Sequence, residues 1–133
     1  ITNPDNYLLM NRCAGSDHYA YWYHLQMHSI GPHASMNICP ENEKMGYFYE
    51  NHAHSSGHYG LRIFPNMIPR EFACKDITYD ADYSSKGETD PFWENPAITA
   101  GLSYFTSWKN GRNGAIAEKV GDLRFNYFKL ADN

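Results

Sequence analysis

The sequence has little charge of either sign and no long hydrophobic run. Eleven Lys and Arg residues stand against fifteen Asp and Glu residues, which gives a formal net charge of -4 over 133 residues. No basic cluster interleaved with aromatic residues occurs, so the chain lacks the electrostatic footprint of a nucleic-acid-binding protein, and we expect no nucleic-acid partner. No apolar run approaches the roughly 20 residues that a membrane-spanning helix needs.

Motifs that hold cofactors or nucleophiles are also missing. The chain contains no P-loop, no G-x-G-x-x-G stretch and no nucleophile elbow, and we expect no cofactor. It contains no Asn-x-Ser/Thr sequon with a permitted middle residue, so N-glycosylation within this stretch is not expected. The start at Ile1-Thr2-Asn3-Pro4 has neither an initiator Met nor a signal-peptide pattern. We therefore expect a single domain, residues 1–133, that forms a segment of a longer protein.

Cysteine is scarce: the chain has three residues and no C-x-x-C spacing, which signals neither a zinc site nor a redox motif. Cys13 takes the small position that Ala53 fills in the repeat described below, and we expect a buried free thiol there. Cys39 and Cys74 lie in two irregular stretches, where they could form one disulfide that closes a long loop. Such a bridge would indicate an oxidising compartment.

Aromatic residues are abundant, at 16% of the chain, and hydrophobic residues reach 42%, which indicates an ordered, Tyr-rich protein. The main feature is a repeat. Residues 11–23 and 51–63 share the outline Asn-x-small-x-small-Ser-x-His-Tyr-small, followed by a strand-like run, at a spacing of forty residues. Self-similarity at a fixed period is typical of a solenoid, whose units bury their apolar faces only by stacking on neighbours.

Short strands separated by Gly, Asn and Ser turns follow one another along the chain, with no helical window. They are expected in Tyr7–Met10, Tyr19–Leu25, Met45–Tyr49, Tyr59–Phe64, Ala97–Phe105, Asn113–Glu118 and Leu123–Leu130. Two stretches without periodicity, about 27–44 and 66–96, are expected to be long loop excursions. The sequence therefore predicts an all-β fold, a fragment of a right-handed parallel β-helix of about three to four coils.

Stacked coils of a β-helix lie ~4.8 Å apart, so equivalent residues should lie directly above each other. We expect Asn11 to pair with Asn51, Tyr19 to stack on Tyr59, and Gly114 to occupy the position of Gly60. Both ends of a β-helix are unpaired strand edges, which tend to aggregate unless they are covered. The expected partners are therefore the remainder of the parent protein, stacked on both ends, or further copies through self-assembly.

The repeat also holds the one cluster of residues that resembles a metal site. His52 and His54 should point to one face of a strand, and His58, with His18 from the adjacent coil, lies nearby in the sequence pattern. Three such ligands could hold zinc or copper. A solvated or hydrogen-bonded solenoid face explains the same residues, and we favour it. We expect no metal, and we keep these four histidines as candidate ligand-binding residues.

The second excursion is acidic and aromatic. Asp82, Tyr83 and Trp93 are the candidate ligand-binding residues there, because a glycoside hydrolase needs carboxylates beside the scissile bond and aromatic rings stack on sugars. Further residues of these types are Asp76, Asp80, Glu88, Asp90, Tyr79 and Phe92. No spacing ties any two of the carboxylates together, so a solvated acidic loop is favoured. Glu50 and Glu118 are alternative carboxylates on the regular strands.

Several strings of the sequence resemble, in the same order, the parallel β-helix region of a family of large surface proteins. They are Asn3-Pro4-Asp5-Asn6, Ala14-Gly15-Ser16 with Tyr21-Trp22-Tyr23, Ser29-Ile30-Gly31-Pro32, Gly46-Tyr47-Phe48-Tyr49-Glu50-Asn51-His52-Ala53-His54-Ser55, Pro96-Ala97-Ile98, Trp108-Lys109-Asn110 and Ala131-Asp132-Asn133. The family contains cell-migration-inducing hyaluronan-binding protein, transmembrane protein 2, fibrocystin and fibrocystin-L, which share a G8 domain and PbH1 repeats. The G8 segment is not in this sequence. The run Tyr59–Pro65 is closer in style to the fibrocystin-L branch.

The resemblance implies an extracellular, glycosylated protein that is secreted or membrane-anchored. Two members of the family are associated with hyaluronan depolymerisation, whereas the fibrocystins are receptor-like surface proteins without established catalysis. No catalytic motif of the family can be placed on this sequence, so no catalytic role is carried over. We expect a non-catalytic β-helix segment that acts as a rigid scaffold or as a platform for carbohydrate or surface proteins. The alternative is part of a hyaluronan-binding or hyaluronan-depolymerising ectodomain.

Overall fold

The computed structural model describes residues 1–74 and 95–133. These residues form short strands joined by turns and by longer loops. The strands are β1 (Leu8–Leu9), β2 (Arg12–Ala14), β3 (Tyr19–Tyr23), β4 (Phe48–Tyr49), β5 (His52–His54), β6 (Tyr59–Ile63), β7 (Ala100–Ser103), β8 (Thr106–Trp108), β9 (Asn113–Ala117), β10 (Leu123–Asn126) and β11 (Lys129–Ala131). Within these residues no helix is long and apolar enough to cross a membrane.

The strands pair in parallel and form three sheets. The first sheet has the order β1-β4-β7-β10, the second β2-β5-β8-β11, and the third β3-β6-β9. Each passage of the chain therefore adds one strand to each sheet in turn, an arrangement consistent with a β-helix. The predicted all-β class and the parallel pairing are confirmed.

The register of the sheets follows the sequence repeat. β3 pairs with β6 so that Tyr19 lies opposite Tyr59, and their rings stack with centroids 5.7 Å apart and an angle of 4° between the planes. The side-chain amide of Asn11 donates to Oδ1 of Asn51 at 3.1 Å, and that of Asn51 donates to the carbonyl of Leu8 at 2.7 Å. Both predicted stacks are confirmed. The buried Asn51 amide thus joins the backbone and side chains of two layers.

Each layer turns from the first sheet into the second through one residue in the left-handed region. This residue is Met10, Glu50, Tyr104 or Tyr127, with φ between 53° and 56°. A non-glycine residue in this conformation costs roughly 1 to 2 kcal/mol. Hydrogen bonds between layers hold it there: the N–H of Met10 donates to the layer below at 2.9 Å, and that of Tyr104 does the same at 2.9 Å.

The prediction of one continuous strand over Leu123–Leu130 is wrong, because a corner of this kind interrupts it. The chain instead forms two strands, β10 and β11, in two different sheets, with Tyr127 at φ 55° between them. The expected strand Tyr7–Met10 is shortened for the same reason, because Met10 makes the corner. Turns of this kind usually carry Gly or Asn, so Tyr and Met at the corner gave no turn signal.

The core is the column of side chains that the three sheets enclose. Its members are Tyr21, Tyr23, Leu25, Phe48, Ala53, Leu61, Ile63, Met67, Ala100, Leu102 and Phe105. The ring of Phe48 lies 5.5 Å from Tyr21 and 5.5 Å from Phe105, in edge-to-face contact with each. Cys13 is a free thiol but only half-buried, because β2 is the outermost described strand of its sheet. The expected full burial of this thiol is therefore wrong.

The first excursion, between β3 and β4, contains a short 3-10 turn at Gly31–His33. Cys39 from this loop and Cys74 are joined by a disulfide, with Cα atoms 5.4 Å apart. Close to Cys74, the side-chain amide of Asn95 donates to the carbonyl of Phe72 at 3.1 Å and accepts from its N–H at 3.0 Å. Both ends of the second excursion are therefore held together and fastened to the first loop.

Candidate functional site

His52 and His54 lie on the outer face of the second sheet. Ala53 between them is fully buried, and the alternation of a strand places the two histidines on the opposite, half-exposed side. The ring of His54 stacks on that of Trp108 in the next layer, with centroids 4.6 Å apart and an angle of 17°. The ring that stacks on His54 is therefore an indole and not a second imidazole.

The strands on either side of β5 do not add metal ligands to this pair. His52 lies between Arg12 and Thr106 in the sheet, and His54 lies between Ala14 and Trp108. Within residues 1–74 and 95–133, no group of three His, Cys, Asp or Glu side chains is arranged to hold a metal ion. The outer faces of β5 and β8 together thus present imidazole, indole and hydroxyl groups.

His18 and His58 occupy another part of the surface, the turn that precedes the third sheet. Their rings belong to adjacent layers and lie 5.0 Å apart, centroid to centroid. Desolvation by packed neighbours, followed by the positive charges of Arg112, His18 and Arg62, lowers the pKa of His58 from its ordinary value. The four histidines of the repeat form two separate pairs.

Arg62 lies on the outer face of the third sheet, packed among aromatic rings. Its guanidinium carbon is 4.4 Å from the ring centroid of Phe64 and 4.9 Å from that of Tyr19, whose hydroxyl accepts a hydrogen bond from Nη1 at 2.6 Å. Nη2 lies 3.8 Å from a carboxylate oxygen of Glu118. Through these cation–π contacts and this hydrogen bond, the guanidinium holds the aromatic side chains of this face in place.

The candidate residues of the acidic loop cannot be placed in this arrangement. Asp82, Tyr83 and Trp93 lie outside the described residues, as do Asp76, Asp80, Glu88, Asp90, Tyr79 and Phe92. The alternative carboxylates are placed: Glu118 pairs with Arg62, and Glu50 is exposed at the corner between the first two sheets.

An aromatic groove of about 550 Å³ runs along the outer face of the first sheet. Tyr47 and Tyr49 lie beside Gly101 and Ser103 of the next layer, and the ring of Tyr47 meets that of Tyr7 edge-on at 5.1 Å. Tyr47 is 62% exposed. Sequence reasoning missed this groove, although the paired tyrosines and the glycine one layer away were visible in the sequence.

Glu41 is a buried carboxylate that sequence reasoning also missed. Glu41 is only 4% exposed to solvent. Its Oε2 atom accepts no hydrogen bond within the described part of the chain. Burial raises the pKa of Glu41 to about 7, against the opposing effects of a hydrogen bond from Asn66 and the charge of Lys119. Its backbone joins the first loop to the segment after β6, because its carbonyl accepts from the N–H of Ile68 at 2.9 Å. A loop without periodicity gave no signal of this burial.

Comparison with known proteins finds similarity to fibrocystin-L and to the CEMIP proteins. The CEMIP β-helix family model matches residues 1–61. Human fibrocystin-L is 32% identical to the chain over 133 residues, mouse cell migration-inducing and hyaluronan-binding protein is 30% identical over 140 residues, and human cell surface hyaluronidase CEMIP2 is 29% identical over 143 residues. No solved structure matches the chain.

Each of these alignments covers the whole chain but a small part of the relative. The chain spans 3% of the length of fibrocystin-L and 10% of the length of each of the other two proteins.

Proposed function

We propose that this chain is a non-catalytic segment of a large extracellular surface protein, because it is similar to fibrocystin-L and the CEMIP proteins and its residues 1–61 match the CEMIP β-helix family model. Its role is that of a rigid scaffold and binding platform for carbohydrate or protein. In this proposal the described strands are three to four coils of one right-handed β-helix, interrupted by the excursions at about 27–44 and 66–96.

The observation that supports the scaffold role is the stacking of side chains from layer to layer. The side-chain amide of Asn110 donates to Oδ1 of Asn133 at 2.6 Å, and the rings of Tyr104 and Tyr127 stack 4.6 Å apart. Each layer thus fixes the next through backbone ladders and side-chain contacts together. A stack built in this way keeps its layers at fixed distances from one another along its axis, as a rigid spacer requires.

The platform role draws on the outer faces of the sheets. Tyrosine, tryptophan and histidine rings lie on all three faces, as in the Tyr47 groove, the His54–Trp108 pair and the rings around Arg62. Aromatic side chains of this kind offer an apolar body with a polar edge, a combination that is enriched in recognition surfaces.

The proposed location is the cell surface or the extracellular space. The Cys39–Cys74 disulfide supports it, because such bonds persist in oxidising compartments and are rare in the cytosol. Glycosylation and a membrane anchor, where present, would belong to the rest of the parent protein. Its remaining coils are the proposed partners at both ends of the stack, and self-assembly through the same strand edges is the alternative.

A second candidate function is part of a hyaluronan-binding or hyaluronan-depolymerising ectodomain. The names of two relatives favour it, since one is a cell surface hyaluronidase and another binds hyaluronan. A catalytic role would require two carboxylates about 5 to 10 Å apart beside a sugar groove. Asp82 is the first residue to test for that role.

A distance measurement tests the rigid stack. Arg12 and Lys129 are exposed, and they lie in the same register position of the second sheet, in its two outermost described strands. Three strand spacings separate them, or about 14 Å between Cα atoms. With spin labels on Arg12→Cys and Lys129→Cys in a Cys13→Ser background, we expect one narrow short-distance distribution in the full ectodomain. A broad distribution, or one centred far above this separation, would exclude a rigid scaffold.

A further inference from the structure

Three basic side chains lie one above another at the turn into the third sheet. His18, His58 and Arg112 hold the same position in successive layers: the N–H of His58 donates to the carbonyl of His18 at 2.8 Å, and the N–H of Arg112 donates to the carbonyl of His58 at 2.9 Å. The two imidazole rings lie 5.0 Å apart. We call these three residues the basic column.

The basic column has no acidic partner in the described parts of the chain. The ion pairs between side chains in the described residues include Lys44 with Asp5, Arg62 with Glu118, and Arg124 with Asp122. None of these pairs involves a residue of the basic column. The chain as a whole carries a net charge of -4, so the column departs from the overall balance. An exposed guanidinium and two imidazoles at the same position of adjacent layers, without a counter-charge, favour a negatively charged ligand.

The groups around the column fix its pH dependence. Arg62 adds positive charge but is paired with Glu118, and Tyr19 and Tyr59 are the ring neighbours of the imidazoles. Asp17 precedes His18 in the turn. Desolvation and then the positive charges of Arg112, His18 and Arg62 lower the pKa of His58. An anion beside the ring reverses the electrostatic part of this effect, and proton and anion then favour each other's binding.

We propose that His18, His58 and Arg112 bind a tetrahedral oxyanion, a sulfate or phosphate ester group, more tightly at acidic than at neutral pH. The three side chains extend from the same position of three adjacent layers, and a tetrahedral anion has enough acceptor oxygens to serve all three. A carboxylate, with two oxygens, matches Arg112 alone in a bidentate pair. This site is independent of the scaffold role, because it requires only the register of the three layers.

The test uses the full-length protein and inorganic sulfate as the probe, with inorganic phosphate as a second arm. Histidine acylation by diethylpyrocarbonate is followed peptide by peptide by mass spectrometry at pH 5.5 and pH 7.5, at constant ionic strength in chloride. We expect sulfate to protect His18 and His58 in a saturable manner, at lower concentration at pH 5.5, while His33 in the first loop stays unprotected. Saturable protection by phosphate alone would identify the phosphate ester as the source.

Two variants with equal loss of charge complete the experiment. Arg112→Ala should raise the half-protecting sulfate concentration by about tenfold, the loss of one charge-assisted hydrogen bond. Arg12→Ala removes the same charge from the exposed face of β2 and should leave that concentration unchanged. Equal effects of the two variants, equal protection at both pH values, equal protection by acetate, or an absence of saturable protection would each overturn the proposal.

Discussion

Replacement of Gly60 by alanine will lower the free energy of unfolding by about 1 to 3 kcal/mol, the usual cost of overpacking a filled interior. A Cβ atom at Gly60 would lie 2.6 Å from the carbonyl oxygen of Gly114 and 3.1 Å from Cβ of Ser107, and it would collide with Oγ of Ser107. Ser107 is fully buried, and its Oγ accepts a hydrogen bond from Asn110 at 2.8 Å. The hydroxyl therefore cannot move away without breaking its hydrogen bond from Asn110.

Gly101→Ala is the matched control for this prediction. Gly101 is exposed in β7, and the nearest atom to its added Cβ would be 4.0 Å away. Alanine there should be neutral or slightly stabilising, by up to about 1 kcal/mol, because it reduces the conformational freedom of the unfolded chain. Urea denaturation of both variants measures the two effects. Equal stability of Gly60→Ala and Gly101→Ala would contradict the tight contact between layers.

The free energy of unfolding of Glu41→Gln, measured relative to that of the wild type, will be about 2.5 kcal/mol higher at pH 8.5 than at pH 5. The carboxyl group has a pKa of about 7 in the fold, against an ordinary value of 4.5. The folded state therefore binds its proton more tightly, and the stability that protonation supplies is fully present below pH 4.5. That stability is lost as the pH rises through 7, because the ionised carboxylate is buried. Glutamine stays neutral and can keep the hydrogen bond with Asn66.

The measurement is the difference in unfolding free energy between Glu41→Gln and wild type at the two pH values. Subtracting the wild-type value at each pH removes the contribution of the other titratable groups, which both proteins share. Glu71→Gln, which changes an exposed carboxylate, should give the same difference at both values. A constant difference for Glu41→Gln as well would show that burial does not hold this carboxyl in its neutral form.

The register of the fold could be predicted from the sequence, because identical residues at a fixed spacing prefer to stack on each other. The Asn11–Asn51 hydrogen bond and the Tyr19–Tyr59 stack are both confirmed on this basis. Gly114 also occupies the position of Gly60, as predicted, since Tyr59 lies opposite Asn113. A side chain that packs against its own equivalent in the next layer leaves a clear mark on the sequence.

The corners between sheets could not be predicted in the same way. Glu50, Tyr104 and Tyr127 adopt the left-handed conformation that sequence rules reserve for Gly and Asn. Hydrogen bonds to the next layer hold Glu50 and Tyr104 there, such as that from the N–H of Tyr104 to the carbonyl of Asn126 at 2.9 Å. Local sequence does not encode a contact of this range.

The candidate sites show the same limit. Sequence reasoning placed His52 and His54 on one face of a strand, and the structure agrees, but it could not separate them from the His18–His58 pair. The direction of each side chain depends on the turn between β5 and β6. Glu41 was missed because its burial depends on Asn66 and on the segment after β6, which are distant in the sequence.

The scaffold role is tested most directly by the size of hyaluronan chains after incubation with the full-length ectodomain. Hyaluronan of defined length is incubated with the wild-type ectodomain and with its His54→Ala and Asp82→Asn variants, and the products are sized by gel electrophoresis. A non-catalytic segment predicts the same chain-length distribution for all three proteins. Shortening by the wild type that is lost in either variant would contradict the account and assign catalysis to this segment.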